Sequence, residues 1–158
     1  MIGVKALIWD EEGGFAFSPQ AETPWRSRQA HATCLKELRG PGLSGGHRAP
    51  YRGCNCGIHG LFTYWDLEEY LCHPGIAYFG PHRSRLFTAM LEASGTTIVH
   101  EFGWRAEAAT IIAVSSAASG YEDLAQRQAA DFFGVPILST VEVREQLNAQ
   151  QKVVAIPV

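Results

Sequence analysis

The sequence predicts an α+β fold, mostly antiparallel, in which a sheet of short strands precedes two C-terminal helices, with a barrel-like closure as an open alternative. Three observations carry this expectation. Short apolar runs of strand length fill most of the chain up to residue 114 and are separated by turn residues. Two segments near the end carry helix start and stop signals. One stretch, 39–53, holds five glycines and two prolines in fifteen residues and cannot pack by itself.

Taken in order, residues 5–9 read as a buried strand and 15–17 pair back on it through the turn Glu11-Glu12-Gly13-Gly14. Residues 19–28 read as irregular, anchored by Trp25, and 30–38 fit a short helix or a strand equally well. Residues 57–64 read as a strand. Asp66 is expected to cap a helix over 67–72, with Glu69 completing a capping box and Pro74-Gly75 ending it. Residues 85–92 alternate as a strand, Ser94-Gly95 reads as a hairpin turn, and 96–102 and 105–114 continue the meander with Gly103 as a bulge. The clearest helix is 121–133, with Tyr121, Leu124, Ala125, Ala129, Phe132 and Phe133 on one face and Gly134 as its stop. After a strand at 135–138, Ser139 and Glu142 form a capping box that opens a helix to about Ala149. A last strand is expected over 153–156.

The chain of 158 residues suits a single domain spanning 1–158, and its 46% hydrophobic content is that of an ordinary globular protein. No apolar run approaches the length of a membrane span. The apolar stretch at 6–9 runs into Asp10, Glu11 and Glu12, too short and too acidic for a signal peptide, so a cytoplasmic location is expected.

Net charge is −3, which argues against non-specific grip on nucleic acid. Yet residues 26–52 hold six of the 13 Lys and Arg against one acid, Glu37. Such asymmetry points to an anionic partner, or to a solvated loop that is merely basic.

Four cysteines, Cys34, Cys54, Cys56 and Cys72, lie in a chain without a secretory signal, where clustered thiols serve metal or redox chemistry more often than disulfides. Cys34, His47, Cys54 and Cys56 bracket the glycine-rich stretch and make up a Cys₃His set, a common structural zinc combination. Asn55 and Gly57 tolerate the backbone that a tight Cys-x-Cys turn demands. His59 and the pair Cys72-His73 are rival ligands, and inert buried cysteines are the plain alternative. Three thiolates and a closed fourth position favour a structural over a catalytic ion. The zinc deaminase and His-Glu-x-x-His patterns are absent.

A second dense cluster is His100-Glu101-Phe102-Gly103-Trp104-Arg105-Ala106-Glu107. On a plain strand His100, Phe102 and Trp104 share one face, and Glu101, Arg105 and Glu107 the other; a bulge at Gly103 instead brings His100 beside Arg105. Either way Arg105 is expected to have a carboxylate neighbour, as a structural ion pair or as part of a ligand site. No nucleophile elbow, Walker loop or dinucleotide fingerprint is present. Of the four tryptophans, Trp25 beside Arg26 is the best candidate for a stacking wall.

The succession Cys34, His47-Arg48-Ala49-Pro50, Cys54-Asn55-Cys56-Gly57-Ile58, His100-Glu101 and Gly103-Trp104-Arg105-Ala106-Glu107 resembles a family of proteins from actinobacteria and their phages. The likeness covers residues 34–107. That family is expected to carry tyrosine where this chain has His59, and tyrosine or tryptophan at Trp104; the first departure favours His47 over His59 as a ligand. The resemblance implies that the metal cluster and the charged strand form one site, and it brings no activity.

The leading expectation is a zinc-stabilised, non-catalytic binding module for an anionic partner, nucleic acid or nucleotide. Contacts would come from the basic segment 26–52, including Arg48 and Arg52, and from His100, Glu101, Trp104, Arg105 and Glu107. One alternative is a small enzyme using His100, Glu101, Arg105 and Glu107. Another is a phage-type protein-interaction factor with an apolar patch around Trp25.

Overall fold

The computed structural model describes residues 1–18, 21–34, 47–72, 85–115 and 123–154. The fold is α+β. Among the described residues the strands are β1 (Ile2–Asp10), β2 (Phe15–Ser18), β3 (Ala21–Trp25), β4 (Gln29–His31), β5 (Ile58–Leu61), β6 (Leu86–His100), β7 (Gly103–Ser115) and β8 (Ile137–Leu138). The helices are α1 (Tyr64–Cys72), α2 (Asp123–Phe133) and α3 (Thr140–Val154). The sheet runs β3-β2-β1-β5-β7-β4, with β6 paired to both β1 and β7 and β8 joined in parallel to β7. Every other pairing is antiparallel. β1, β5, β7 and β6 therefore close a ring of hydrogen bonds.

β1 is apolar on both sides of Lys5 because both of its faces are covered. Leu7 and Trp9 join a core cluster with Trp25, Trp104 and the α2 residues Ala129 and Phe133. Val4 and Ala6 face a second cluster with Leu67 of α1 and Val143 and Leu147 of α3. Where the ring closes, one side chain dictates Gly3 and Gly60, and a backbone carbonyl dictates Gly103. Cβ atoms on Gly3 and Gly60 would lie 2.6 and 2.4 Å from the Trp104 indole, and one on Gly103 would lie 2.1 Å from the Gly60 carbonyl oxygen. Trp104 is fully buried and its Nε1 donates to the Ile2 carbonyl at 3.2 Å.

The C-terminal helices follow their local signals. Gly134 takes φ +63, and the amides of Gly134 and Val135 return to the Asp131 and Ala130 carbonyls, closing α2. Ser139 Oγ accepts the Glu142 amide while the Glu142 carboxylate accepts the Ser139 amide, and this capping box holds the Glu142 carboxyl below its usual range.

Several expectations are corrected. The 19–28 stretch contains β3 and leads into β4; Pro24 is tolerated because β3 is an edge strand. α1 begins at Tyr64 because Thr63, not Asp66, caps it, accepting the Asp66 amide at 3.0 Å. Ser94-Gly95 is no hairpin turn. β6 runs through it, with a register shift between Ser94 and Thr97 and Gly95 at φ +71. The turn lies at Glu101-Phe102, with His100 opposite Gly103, which begins β7 instead of forming a bulge. On α2, Leu124 and Phe132 are exposed, whereas Ala125, Ala129 and Phe133 are buried. Residues 153–154 belong to α3 instead of a strand. The expectations on 35–46, on Pro74-Gly75, on Tyr121 and on 155–158 fall outside the described residues. Among the described residues no helix is long and apolar enough to cross a membrane.

Candidate metal centre

The site is created by an interruption on one edge of β7. β4 pairs with Ala108 to Thr110 of that edge, and β5 pairs with Gly103 to Ala106. The two strands run in the same direction, and between them the Ala32 amide donates to the Glu107 carbonyl at 2.7 Å. The chain is thus on the β7 edge at Ala32 and again at Ile58, one step further along. Cys34 closely follows Ala32, and Cys54 and Cys56 shortly precede Ile58.

Cys34, His47, Cys54 and Cys56 bring their ligand atoms within 4.8 Å of one another, close enough to hold a metal ion. Cys34 Sγ is 3.8 Å from Cys54 Sγ, and His47 Nε2 is 3.3 Å from Cys56 Sγ. A tetrahedral ion at ordinary zinc–sulfur and zinc–nitrogen distances has edges of about 3.5–3.8 Å, so both separations fit such a polyhedron. The thiols are free, and 3.8 Å lies far outside disulfide bonding. Cys34 is buried, and Cys54 and Cys56 are half-buried. Exposed Cys72 stands apart from the group, and its neighbour His73 falls outside the described residues.

The thiols have unequal acidities. The backbone amide of Cys56 holds the Cys54 thiol down to about 7, whereas burial pushes the Cys56 thiol up to about 11. Two thiols sharing one site behave in this way, because the first negative charge opposes the second. A cation supplies the missing compensation and displaces protons as it binds. Below pH 7 this pair surrenders two protons to an incoming ion, and between 7 and 11 it surrenders one. The pair's share of metal affinity is therefore expected to fall about 100-fold per pH unit in the acid range and about tenfold per unit above it. Calorimetric counting of released protons near pH 6 and pH 8 reads the difference.

The charged strand braces this loop. Arg105 Nη1 donates to the Cys54 and Cys56 carbonyls, and Gly57, at φ +123, lets the chain pass its side chain: a Cβ there would meet Arg105 Cβ at 3.1 Å and Pro50 Cβ at 3.2 Å. Glu107 accepts the Arg48 guanidinium on one oxygen and the Thr96 amide, at the β6 bulge, on the other. The Thr96 amide, followed by Arg48, holds its carboxyl below the usual range. The expected carboxylate neighbour of Arg105 is thus replaced by two carbonyls, and the ion pair of the strand is Glu107 with Arg48. Removing such supporting partners weakens metal sites by roughly 10–100-fold. Arg105→Ala is expected to lower metal affinity within that range, measured by chelator competition, with Arg105→Lys recovering only part because an ammonium lacks the planar fork.

The remaining candidates are placed as follows. His59 lies opposite Arg105 and its Nε2 contacts the Asn55 carbonyl at 3.0 Å, outside the ligand group. Burial, and next the Asn55 contact and the charges of Lys5 and Arg105, set its ring acidity, with a net downward shift. His100 and Glu101 are exposed at the end of β6 and in the turn. Burial and then Arg105 push the His100 ring down. Trp104 is core and presents no face to a ligand, because Gly3 and Gly60 admit its ring into the sheet closure. Trp25 is likewise buried, so neither a stacking wall nor an apolar patch forms on it; the exposed tryptophan is Trp65, 71% exposed. Trp65 borders a groove of about 300 Å³ with Tyr64, Arg144 and Leu147, which none of His100, Glu101, Arg105 or Glu107 lines.

Within the basic segment, Arg26 lies over the Phe15 ring, Arg28 Nε donates to the Ile111 carbonyl, and Arg52 is exposed. Lys36, Arg39 and Glu37 fall outside the described residues. The sequence reading passed over Tyr51, which stacks on His47 with ring centroids 4.6 Å apart. Its position between two arginines of the loop was the available signal.

Comparison with protein-family models, with curated proteins and with solved structures finds no match to this chain.

Proposed function

We propose that this chain is a zinc-stabilised, non-catalytic binding module for an anionic partner, nucleic acid or nucleotide. The observation that carries the reading is the Cys₃His group formed by Cys34, His47, Cys54 and Cys56. Three thiolates and an imidazole are soft and borderline donors that suit zinc, and four protein ligands fill a tetrahedron without leaving a position for water. The role of the ion is to hold the loop, which carries Arg48 and Arg52 at its exposed side. Assigning Arg105 and Glu107 to the bracing of that loop takes both away from acid–base work and favours this reading over an enzyme.

The test pairs elemental analysis of the reduced protein with anisotropy of a labelled oligonucleotide and a labelled nucleotide across salt concentrations. About one zinc per chain is expected. Two arginine–phosphate contacts give a slope of about −1.4 for single strands, so affinity falls roughly sevenfold from 50 to 200 mM salt. Affinity indifferent to salt, or a chain without metal, overturns the proposal.

A further inference from the structure

Tyr51 is a large aromatic residue that the core does not use. It is 53% exposed and belongs to neither apolar cluster, as is also true of Trp65, Phe102 and Phe132. Its ring is nevertheless fixed. One face stacks on the His47 imidazole, with centroids 4.6 Å apart and planes inclined by 30°. Its carbonyl accepts the Cys54 amide at 3.0 Å, which ties its backbone to the turn holding the cysteines. Gly53 keeps the ring edge clear, since a Cβ there would lie 3.1 Å from Tyr51 Cε1. Ordering an exposed aromatic ring against a candidate metal ligand, instead of burying it, leaves a rigid apolar surface turned to solvent.

Two arginines stand close to Tyr51 in sequence. Arg52 is the next residue and is exposed. Arg48, three residues earlier, has its side chain 82% exposed while Glu107 holds its guanidinium. A held aromatic ring flanked in sequence by two exposed arginines suits an unpaired base with its adjacent phosphates, because bases stack on aromatic rings and the backbone is read by charge.

We infer that Tyr51 is a stacking platform for an unpaired base of single-stranded nucleic acid, with Arg52 and Arg48 meeting the adjacent phosphates. The inference rests on the reading of this chain as an anion-binding module and names the ligand class for that site. It requires the ring and not the hydroxyl, so Tyr51→Phe keeps the function and Tyr51→Ala removes it.

The experiment compares a short oligo-dT with an abasic oligonucleotide of equal length, which has the same phosphates and no bases. Wild-type protein is expected to bind oligo-dT more tightly than the abasic strand. Tyr51→Ala is expected to lose roughly 5- to 150-fold in affinity for oligo-dT, approaching its affinity for the abasic strand, while retaining its metal. Tyr51→Phe stays near wild type on both strands. If Tyr51→Ala and wild type bind oligo-dT alike while Arg52→Gln weakens both strands, the platform is overturned and the anion-binding reading survives. If neither strand binds wild-type protein, the platform is overturned, and the anion-binding reading falls with it unless the labelled nucleotide binds. Loss of metal in Tyr51→Ala with unchanged affinities in Tyr51→Phe and no preference of wild type for dT also overturns the platform and leaves Tyr51 a support of His47.

Discussion

Cys56→Ser is expected to abolish metal binding and to destabilise the chain, the largest effect of any change in the loop. A serine hydroxyl does not replace a thiolate as a zinc ligand, and the remaining three donors lose the partner that stands 3.3 Å from His47 Nε2. With free metal a thousandfold above its dissociation constant, the bound ion contributes about 4 kcal/mol to the folded state, and that contribution vanishes with the site. Elemental analysis and a urea titration at fixed metal concentration read the two effects together. Cys72→Ser is the control, since Cys72 is exposed and apart from the group, and its metal content and midpoint should match wild type. A Cys56→Ser protein with unchanged metal and unchanged midpoint would return the cysteines to the role of small buried residues. Reloading wild-type protein with metal after chelation should restore the midpoint, which separates loss of the ion from damage to the loop.

Trp104→Ala is expected to cost about 3–5 kcal/mol, the usual range for deleting a fully buried aromatic side chain. Here the loss falls where β1, β5 and β7 meet. The indole occupies the space that Gly3 and Gly60 leave free and donates to the Ile2 carbonyl, so its removal leaves a cavity and an unpaired carbonyl. The complementary substitution, Gly60→Ala, forces a methyl group 2.4 Å from the ring and is expected to cost about 1–3 kcal/mol through overpacking. Urea midpoints measure both. A small effect of Trp104→Ala would mean that the ring closure stands on its backbone pairings alone. Combining Gly60→Ala with Trp104→Phe should recover part of the Gly60→Ala penalty, because the two changes act on the same space and are not additive.

What the sequence by itself determined about this protein is what short-range chemistry decides. The Ser139–Glu142 capping box and the Gly134 stop are local hydrogen-bond and φ preferences, and both elements form where those residues stand. The turn between β1 and β2 and the apolar run of β1 follow for the same reason. The grouping of Cys34, His47, Cys54 and Cys56 was legible too, because metal ligation restricts residue type and loop ends more tightly than it restricts fold.

Only the tertiary structure decided which long-range partners these elements meet. Gly95 at positive φ suits a hairpin turn and a bulge equally; the pairing of β6 with β7 on both sides of it selected the bulge. Trp104 carries no mark of burial in its neighbours, and its place inside was set by glycines on strands far away in sequence. Arg105 and Glu107 announce charge but not partner. Because β4 and β5 dock end to end on one edge of β7, these side chains face the loop that returns there, and Arg105 takes carbonyls while Glu107 takes Arg48. The sequence names the groups that can bond; sheet register, a cooperative property of the whole chain, decides which of them come within reach.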